Sequence, residues 1–240
     1  VARDARWGRV EETFGEDPWL VGRMGVAAVR GFQGDASFSD KTRVLATMKH
    51  FVAHGQPEAG MNCAPVNVSM RELREVFLPP FEAAIREGGA ASVMASYNEV
   101  DGVPSHANRW LLRDVLRAQW RFDGLVVSDY NAVAELINHG VAADLSEAGA
   151  LALKAGVDID MMGDAYNKGL PDALARGDVT LDEIHEALVR VLSFKERLGL
   201  FDDPYRGIGK DISHGHAKRR ARARDAARKS VTVFACATVI

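Results

Sequence analysis

Cysteine is scarce: Cys63 and Cys236 are the only two in 240 residues. Two thiols without zinc-type spacing exclude a disulfide framework and a Cys-ligated zinc site, so both are expected to be free, and they say nothing about redox compartment. No run of 18 apolar residues occurs, so no membrane span is expected. An excess of one charge is also missing. Lys and Arg number 30 against 33 Asp and Glu, a net charge of -3, which argues against nucleic acid or an anionic membrane as a partner. The 8 prolines and 22 glycines are scattered, with no low-complexity linker and no internal repeat. The chain has no initiator methionine, shows no signal peptide, and opens at Val1-Ala-Arg-Asp4 in what reads as the end of a strand. With 47% hydrophobic residues, it has ample apolar content for one large core.

Strand-like and helix-like segments alternate. Val44 to Phe51 reads as a strand ending in Lys49 and His50, followed by a Gly-, Pro- and Asn-rich loop from Val52 to Val68. Ser69 is placed to cap a helix from Met70 to Arg86, with Glu72 at the capping-box position and Pro79-Pro80 predicting a kink or restart. Ala91 to Tyr97 reads as the next strand, and Asp101-Gly102 marks a turn. A helix from Arg109 to Gln119 takes Asn108 as its cap. Leu125 to Ser128 is a short strand, apolar on both faces, that presents Asp129 at its tip. A helix from Ser146 to Ala155 stops at Gly156, Val157 to Met162 is a further strand, and Leu181 to Leu198 is an amphipathic helix ended by Gly199.

Strands separated by helices predict parallel βαβ units. Four clear strands are fewer than the eight of a (β/α)8 barrel, so the fold class expected is α/β, a partial (β/α)8 TIM-barrel-like domain lacking its first strands. His214 to Lys229 is strongly basic. Without interleaved aromatics it reads as a solvated helix face rather than a nucleic-acid patch. Ser230 to Ile240 is apolar and β-prone, a strand whose partners lie elsewhere and an aggregation hazard if exposed.

The polar residues at predicted strand ends form a set: Arg6, Lys49, His50, Tyr97 and Asp129. Cations, a phenol and one carboxylate at one face suit a neutral polyhydroxy ligand, whose hydroxyls both donate and accept. A carboxylate held beside cations stays ionised, as a glycosidase nucleophile must. Each residue also has a plainer role open to it. Asp129 can cap a helix, Arg6 can form a surface ion pair, and His50 and Tyr97 can be satisfied core residues. Lys49 inside an apolar run is harder to dismiss, because a buried Lys needs a partner. Trp7 and Trp19 read as packing rather than as platforms.

Nine stretches carry a family resemblance through their order and spacing. They are Arg3-Asp-Ala-Arg-Trp-Gly-Arg9, Glu11-Glu-Thr-Phe-Gly-Glu-Asp-Pro18, Lys49-His-Phe51, Ala64-Pro-Val-Asn-Val68, Arg71-Glu-Leu-Arg74, Ser96-Tyr-Asn98, Asp101-Gly-Val-Pro104, His106-Ala-Asn108 and Val127-Ser-Asp-Tyr130. Together they resemble the N-terminal, barrel-type domain of glycoside hydrolase family 3, the β-glucosidase and β-xylosidase family. The resemblance covers residues 1–200, leaving 201–240 as a linker and the start of a C-terminal sandwich domain.

The resemblance implies that Asp129 is the catalytic nucleophile and that Arg6, Lys49, His50 and Tyr97 hold the sugar being cleaved. Tyr130 stands where many members carry Trp, and Met61 where many carry a sugar-touching Arg, which bears on glucoside against xyloside preference. Ala5 replaces a usual Pro. The implied activity is retaining hydrolysis of terminal non-reducing β-D-glycosidic bonds in oligosaccharides or aryl β-glycosides, with no metal or organic cofactor. The family's general acid/base is a Glu from the sandwich domain, and one sugar-binding Asp lies upstream of position 1, so neither is expected in this chain. Members are often periplasmic or secreted; the compartment of this chain is not readable. The N-acetylglucosaminidase branch is disfavoured, because Val52-Ala-His-Gly-Gln-Pro57 lacks that branch's His–Asp pair. A third reading is an inactive fragment that binds only sugar or a partner chain. An incomplete barrel leaves sheet edges open, so self-association between copies is expected.

Overall fold

Short apolar segments make the strands, and all the main ones run the same way. In the computed structural model, which describes residues 1–35, 37–208 and 215–230, β1 is Thr47–Phe51, β2 is Ser92–Ala95, β3 is Glu99–Val100, β4 is Val103–Pro104 and β5 is Leu125–Val127. β1, β2 and β5 form a parallel sheet in that order, and β3 and β4 form a small antiparallel hairpin around Asp101-Gly102. Met48 pairs with Val93 and Val93 with Val126, so residues of like character stand in register across the sheet. Ile159 extends it through a single parallel bridge to Val127. The architecture is α/β, and these strands close no barrel.

Among the described residues the helices of seven residues or more are α1, Pro18–Gln33; α2, Pro79–Arg86; α3, Trp110–Gln119; α4, Leu145–Ala155; α5, Leu170–Arg176; α6, Leu181–Arg197; and α7, His216–Ser230. α3 is wound as a π-helix, with Asn108 Oδ1 accepting the Leu111 N–H at 3.1 Å. The main core lies between sheet and helices: Phe51, Val93 and Val126 from the strands meet Leu111, Leu112 and Leu116 of α3, all essentially inaccessible. Burying apolar surface of this extent is the main source of stability in such a domain.

Several expectations needed correction. The strand expected from Val44 begins only at Thr47, because the Val44 N–H is taken by the Phe32 carbonyl of α1 at 3.0 Å. The strand expected over Val157 to Met162 is one bridge. There the Asp158 carboxylate itself accepts the Val126 N–H at 2.8 Å, doing the work of a strand partner. The opening segment contributes one bridge, Ala2 to Gly55. Ser69 Oγ does accept the Glu72 N–H at 3.1 Å, but Glu72 does not complete a capping box; its carboxylate reaches Arg3 at 3.3 Å. The restart expected at Pro79-Pro80 is present: the Met70–Phe77 part ends in a wide turn, with the Leu78 N–H on the Leu73 carbonyl, and α2 begins with Pro79 in its first turn, where a missing N–H costs nothing.

α1 was not anticipated, because Gly22, Gly25 and Gly31 dilute its helical signal. Its start carries a cap: Asp17 Oδ1 accepts the Leu20 N–H at 2.7 Å, directly before Pro18. Trp7 is buried as expected, but Trp19 is 71% exposed. An apolar groove of about 510 Å³ runs between α1, α2 and the outer edge of β1, lined by Phe32, Val44, Met48 and Phe81 among others.

Two compact units are distinguished, Val1–Pro204 and Tyr205–Ile240. In the second, α7 has no buried residue, consistent with a solvated basic helix. The strand expected over Ser230 to Ile240 lies, beyond Ser230, outside the described residues. No helix among the described residues is long and apolar enough to cross a membrane.

Candidate functional site

Parallel strands place their C-terminal ends on one edge, so Lys49-His50, Ser96-Tyr97-Asn98 and Ser128-Asp129-Tyr130 converge there. Asp129 is the centre of the cluster and is only 9% exposed. Its Oδ1 accepts the Tyr130 N–H at 2.7 Å. Its Oδ2 lies 3.2 Å from His50 Nε2, yet it is buried and accepts no aligned hydrogen bond. Burial pushes the carboxyl pKa up, but the His50 ring, the Tyr130 N–H and the Tyr97 hydroxyl outweigh it and hold the pKa down at about 2. Asp129 is therefore an anion at neutral pH, with Oδ2 left without an aligned donor.

Tyr97 donates its hydroxyl to the Tyr130 carbonyl at 2.6 Å. Burial and the Asp129 charge raise its own pKa, so the phenol keeps its proton. His54, which the sequence reading passed over, stands with its ring 4.6 Å from that of His50 and edge-on to Trp7 at 5.0 Å. Its Nδ1 bonds Asn98 Oδ1 and its Nε2 faces Arg9 Nη1 at 3.3 Å. Arg9 is in turn gripped by both carboxylate oxygens of Glu12 at 2.7 Å. Trp7, Glu12, Lys49, His50 and His54 line a cavity of about 90 Å³.

The structure brings Asp129, His50 and Tyr97 together and sets Lys49 on the neighbouring cavity, with its side chain exposed. Tyr130 and Met61 have exposed side chains, at 59% and 66%. Arg6 is not drawn in. Asp4 holds its Nε and Nη2 at 3.0 and 2.7 Å, and the Arg6 side chain is 68% exposed. The cation that joins the cluster is Arg9, three residues on, whose guanidinium feels the Asp129 charge. Arg9 belongs to the same Arg-Trp-Gly-Arg stretch as Arg6, and its spacing was the available signal. Cys63 is a neighbour too, its thiol pKa pushed up by burial and by the charges of Glu135 and Asp129.

Two buried imidazoles make the site sensitive to acid. Burial lowers the pKa of both His54 and His106 from the usual 6.5 to about 4. Between those values the unfolded chain binds protons that the folded chain does not, so stability rises with pH there and is lost as pH falls from about 6.5 to about 4. Urea unfolding is expected to show a loss on the order of 2 kcal/mol per pH unit near pH 5, about one proton for each imidazole. A flat profile between pH 7 and pH 4.5 would show that these rings are not buried neutral.

The fold and the cluster define an α/β domain with a carboxylate-centred polar site on the C-terminal edge of its parallel strands. The chain belongs to glycosyl hydrolase family 3: the family model for the "Glycosyl hydrolase family 3 N terminal domain" matches residues 1–194. A periplasmic beta-glucosidase of Salmonella typhimurium is 41% identical over 98% of this chain and 31% of its own length. A beta-xylosidase of Formosa agariphila is 42% identical over 97% of this chain and 34% of its own length. The crystal structure of a beta-glucosidase from Listeria innocua in complex with isofagomine superposes with a TM-score of 0.88 at 44% identity, over 93% of this chain and 32% of that one. A variant of the same enzyme has been solved with laminaribiose. The chain thus spans about a third of the length of the relatives it matches.

Proposed function

We propose that this chain carries the nucleophile half of a retaining exo-β-glycosidase site acting on terminal β-D-glucosides or β-D-xylosides. The observation that carries the reading is Asp129, an anion with its pKa held at about 2 and Oδ2 without an aligned donor. A nucleophile must be ionised and must offer a free lone pair to the anomeric carbon, and both conditions are met. Asp129 Oδ2 attacks that carbon, the glycosidic C–O bond breaks, and a covalent glycosyl ester forms. Water then cleaves the ester with net retention. His50 and Tyr97 stand against the carboxylate, and Arg9 and Lys49 supply donors for sugar hydroxyls, with His54 backing Arg9. Retention also needs a carboxylic acid about 5–5.5 Å from the nucleophile, and none of the described carboxylates is paired with Asp129. That acid is assigned to the remaining two-thirds of the length seen in the relatives.

In the same reading the sheet β1-β2-β5 with Ile159 is an arc of a (β/α)8 barrel that ends near residue 200. The free edge of β1 and the groove beside it are where copies of the chain would associate. The test is release of p-nitrophenol from p-nitrophenyl β-glucoside and β-xyloside, whose activated leaving group needs little acid help. Release with a β-configured first product, seen by proton NMR, supports the reading. An α-configured first product, or no release from the folded protein, overturns it.

A further inference from the structure

The carboxylate of Asp129 is held by its neighbours, and its main chain is held separately. β5 pairs with β2 only as far as Val127, and the next amide, of Ser128, donates to the Ile159 carbonyl at 2.9 Å. The ladder ends there, so the Asp129 N–H needs another acceptor inside the protein. It finds the imidazole of His106, with N···Nε2 at 3.1 Å. On the other side, the Asp129 carbonyl accepts from Ser128 Oγ at 2.9 Å and from the Ala132 N–H at 3.2 Å. With Oδ1 on the Tyr130 N–H, every polar atom of Asp129 is tied except Oδ2.

We infer that His106 is a positioning residue that, as a neutral imidazole, fixes the main chain of Asp129 and through it the aim of Oδ2. The inference rests on Asp129 being the nucleophile. Since the Asp129 N–H donates to Nε2, the ring proton must sit on Nδ1, and the ring bonds the main-chain carbonyl of Ser96 with it. His106 thus ties the end of β2 to the end of β5. The residue is 2% exposed and rides on the short turn Ser105–Ala107. That turn is itself fixed: the Ser105 N–H and Oγ both donate to the Asn98 carbonyl, at 3.1 and 2.9 Å. A protonated ring would set N–H against N–H, and burial opposes it, holding the pKa near 4. Without an acceptor the buried amide would turn in search of one, and the carboxylate would turn with it.

Two near-isosteric variants separate the two bonds. In His106→Gln the amide oxygen falls where Nε2 was and still accepts from Asp129. In His106→Asn the shorter amide reaches Ser96 but not Asp129. Two readouts on the full chain are compared. The first is hydrogen exchange of the Asp129 amide. The second is the rate at which 2,4-dinitrophenyl 2-deoxy-2-fluoro-β-D-glucoside labels Asp129, with Oδ2 bonding to the anomeric carbon and dinitrophenolate leaving, followed by mass spectrometry. His106→Asn is expected to lose protection at Asp129 at least about tenfold and to label about 10- to 100-fold more slowly with reagent affinity little changed. His106→Gln is expected to stay within a few-fold of wild type in both. Undiminished protection or wild-type labelling in His106→Asn overturns the assignment, as does loss in His106→Gln equal to that in His106→Asn while both keep the wild-type melting temperature. If wild type itself is not labelled, the glycosidase reading fails, and amide exchange alone decides whether His106 holds this main chain.

Discussion

Asp129→Gly is expected to lose at least about a thousandfold in turnover of p-nitrophenyl β-glucoside while keeping its fold. Added azide should restore part of it. The small anion enters the space left by the carboxylate, attacks from the same face, and should yield the α-glycosyl azide, a single displacement where the wild type makes two. Asp129→Asn is expected to be equally inactive but not rescued, because its amide fills the space. Asn keeps an oxygen for the Tyr130 N–H, which Asp129 Oδ1 accepts at 2.7 Å, so the surrounding loop should hold. Activity in Asp129→Asn within tenfold of wild type would remove Asp129 from the chemistry. The folded pKa of Asp129 lies below its unfolded value, so its contribution to stability is present above about 3.8 and is lost as pH falls towards 2.

The largest effect on stability is expected at Asp158, far less exposed than the cluster around Asp129. Its side chain is 1% exposed and is held by Arg117 Nη2 and Arg190 Nη1, each at 2.7 Å, and by the Val126 N–H at 2.8 Å. Arg117 goes on to the Gly124 carbonyl at 3.1 Å, at the root of β5. One carboxylate therefore joins α3, α6 and the strand that presents Asp129. Removing it leaves two largely buried guanidinium groups and an orphaned amide. Breaking a buried pair in this way costs about 3–5 kcal/mol, far more than the net worth of making it. Asp158→Ala should lower the unfolding free energy by that amount, and Asp158→Asn, which can still accept from Val126, by less. Urea unfolding of the three proteins decides it: a loss below about 1 kcal/mol in Asp158→Ala would show that the fork is dispensable.

How far the sequence led depended on the kind of signal. β5 was legible because Leu125-Val-Val127 is apolar on both faces and ends abruptly in Ser-Asp, a pattern few other environments produce. His50 and Tyr97 were legible for the same reason, as polar residues at the ends of buried runs. Which of two arginines faces the cluster was not legible: Arg6 and Arg9 share one turn, and the choice is made by Asp4 and Glu12, each beside its own arginine. His106 was quoted only as part of a motif, since its partner is a backbone amide with no side-chain identity to read. α1 escaped because three glycines weaken local propensity, while packing against α2 supplies what propensity lacks. The segment around Ile159 keeps backbone bonds to Val126 and Ser128 but falls short of a strand, because the Val126 N–H goes to the Asp158 side chain instead of a further carbonyl.

Met61 and Tyr130 sit on the outside of this arrangement, with most of their side-chain surface in water, while the groups that hold Asp129 are buried. Exposed positions tolerate exchange within about 0.5 kcal/mol, so these two can be varied with the supports of Asp129 intact. For an engineer, the domain separates into a fixed chassis and a swappable rim. A two-position library at 61 and 130 changes the rim while leaving the buried holders of Asp129 as they are.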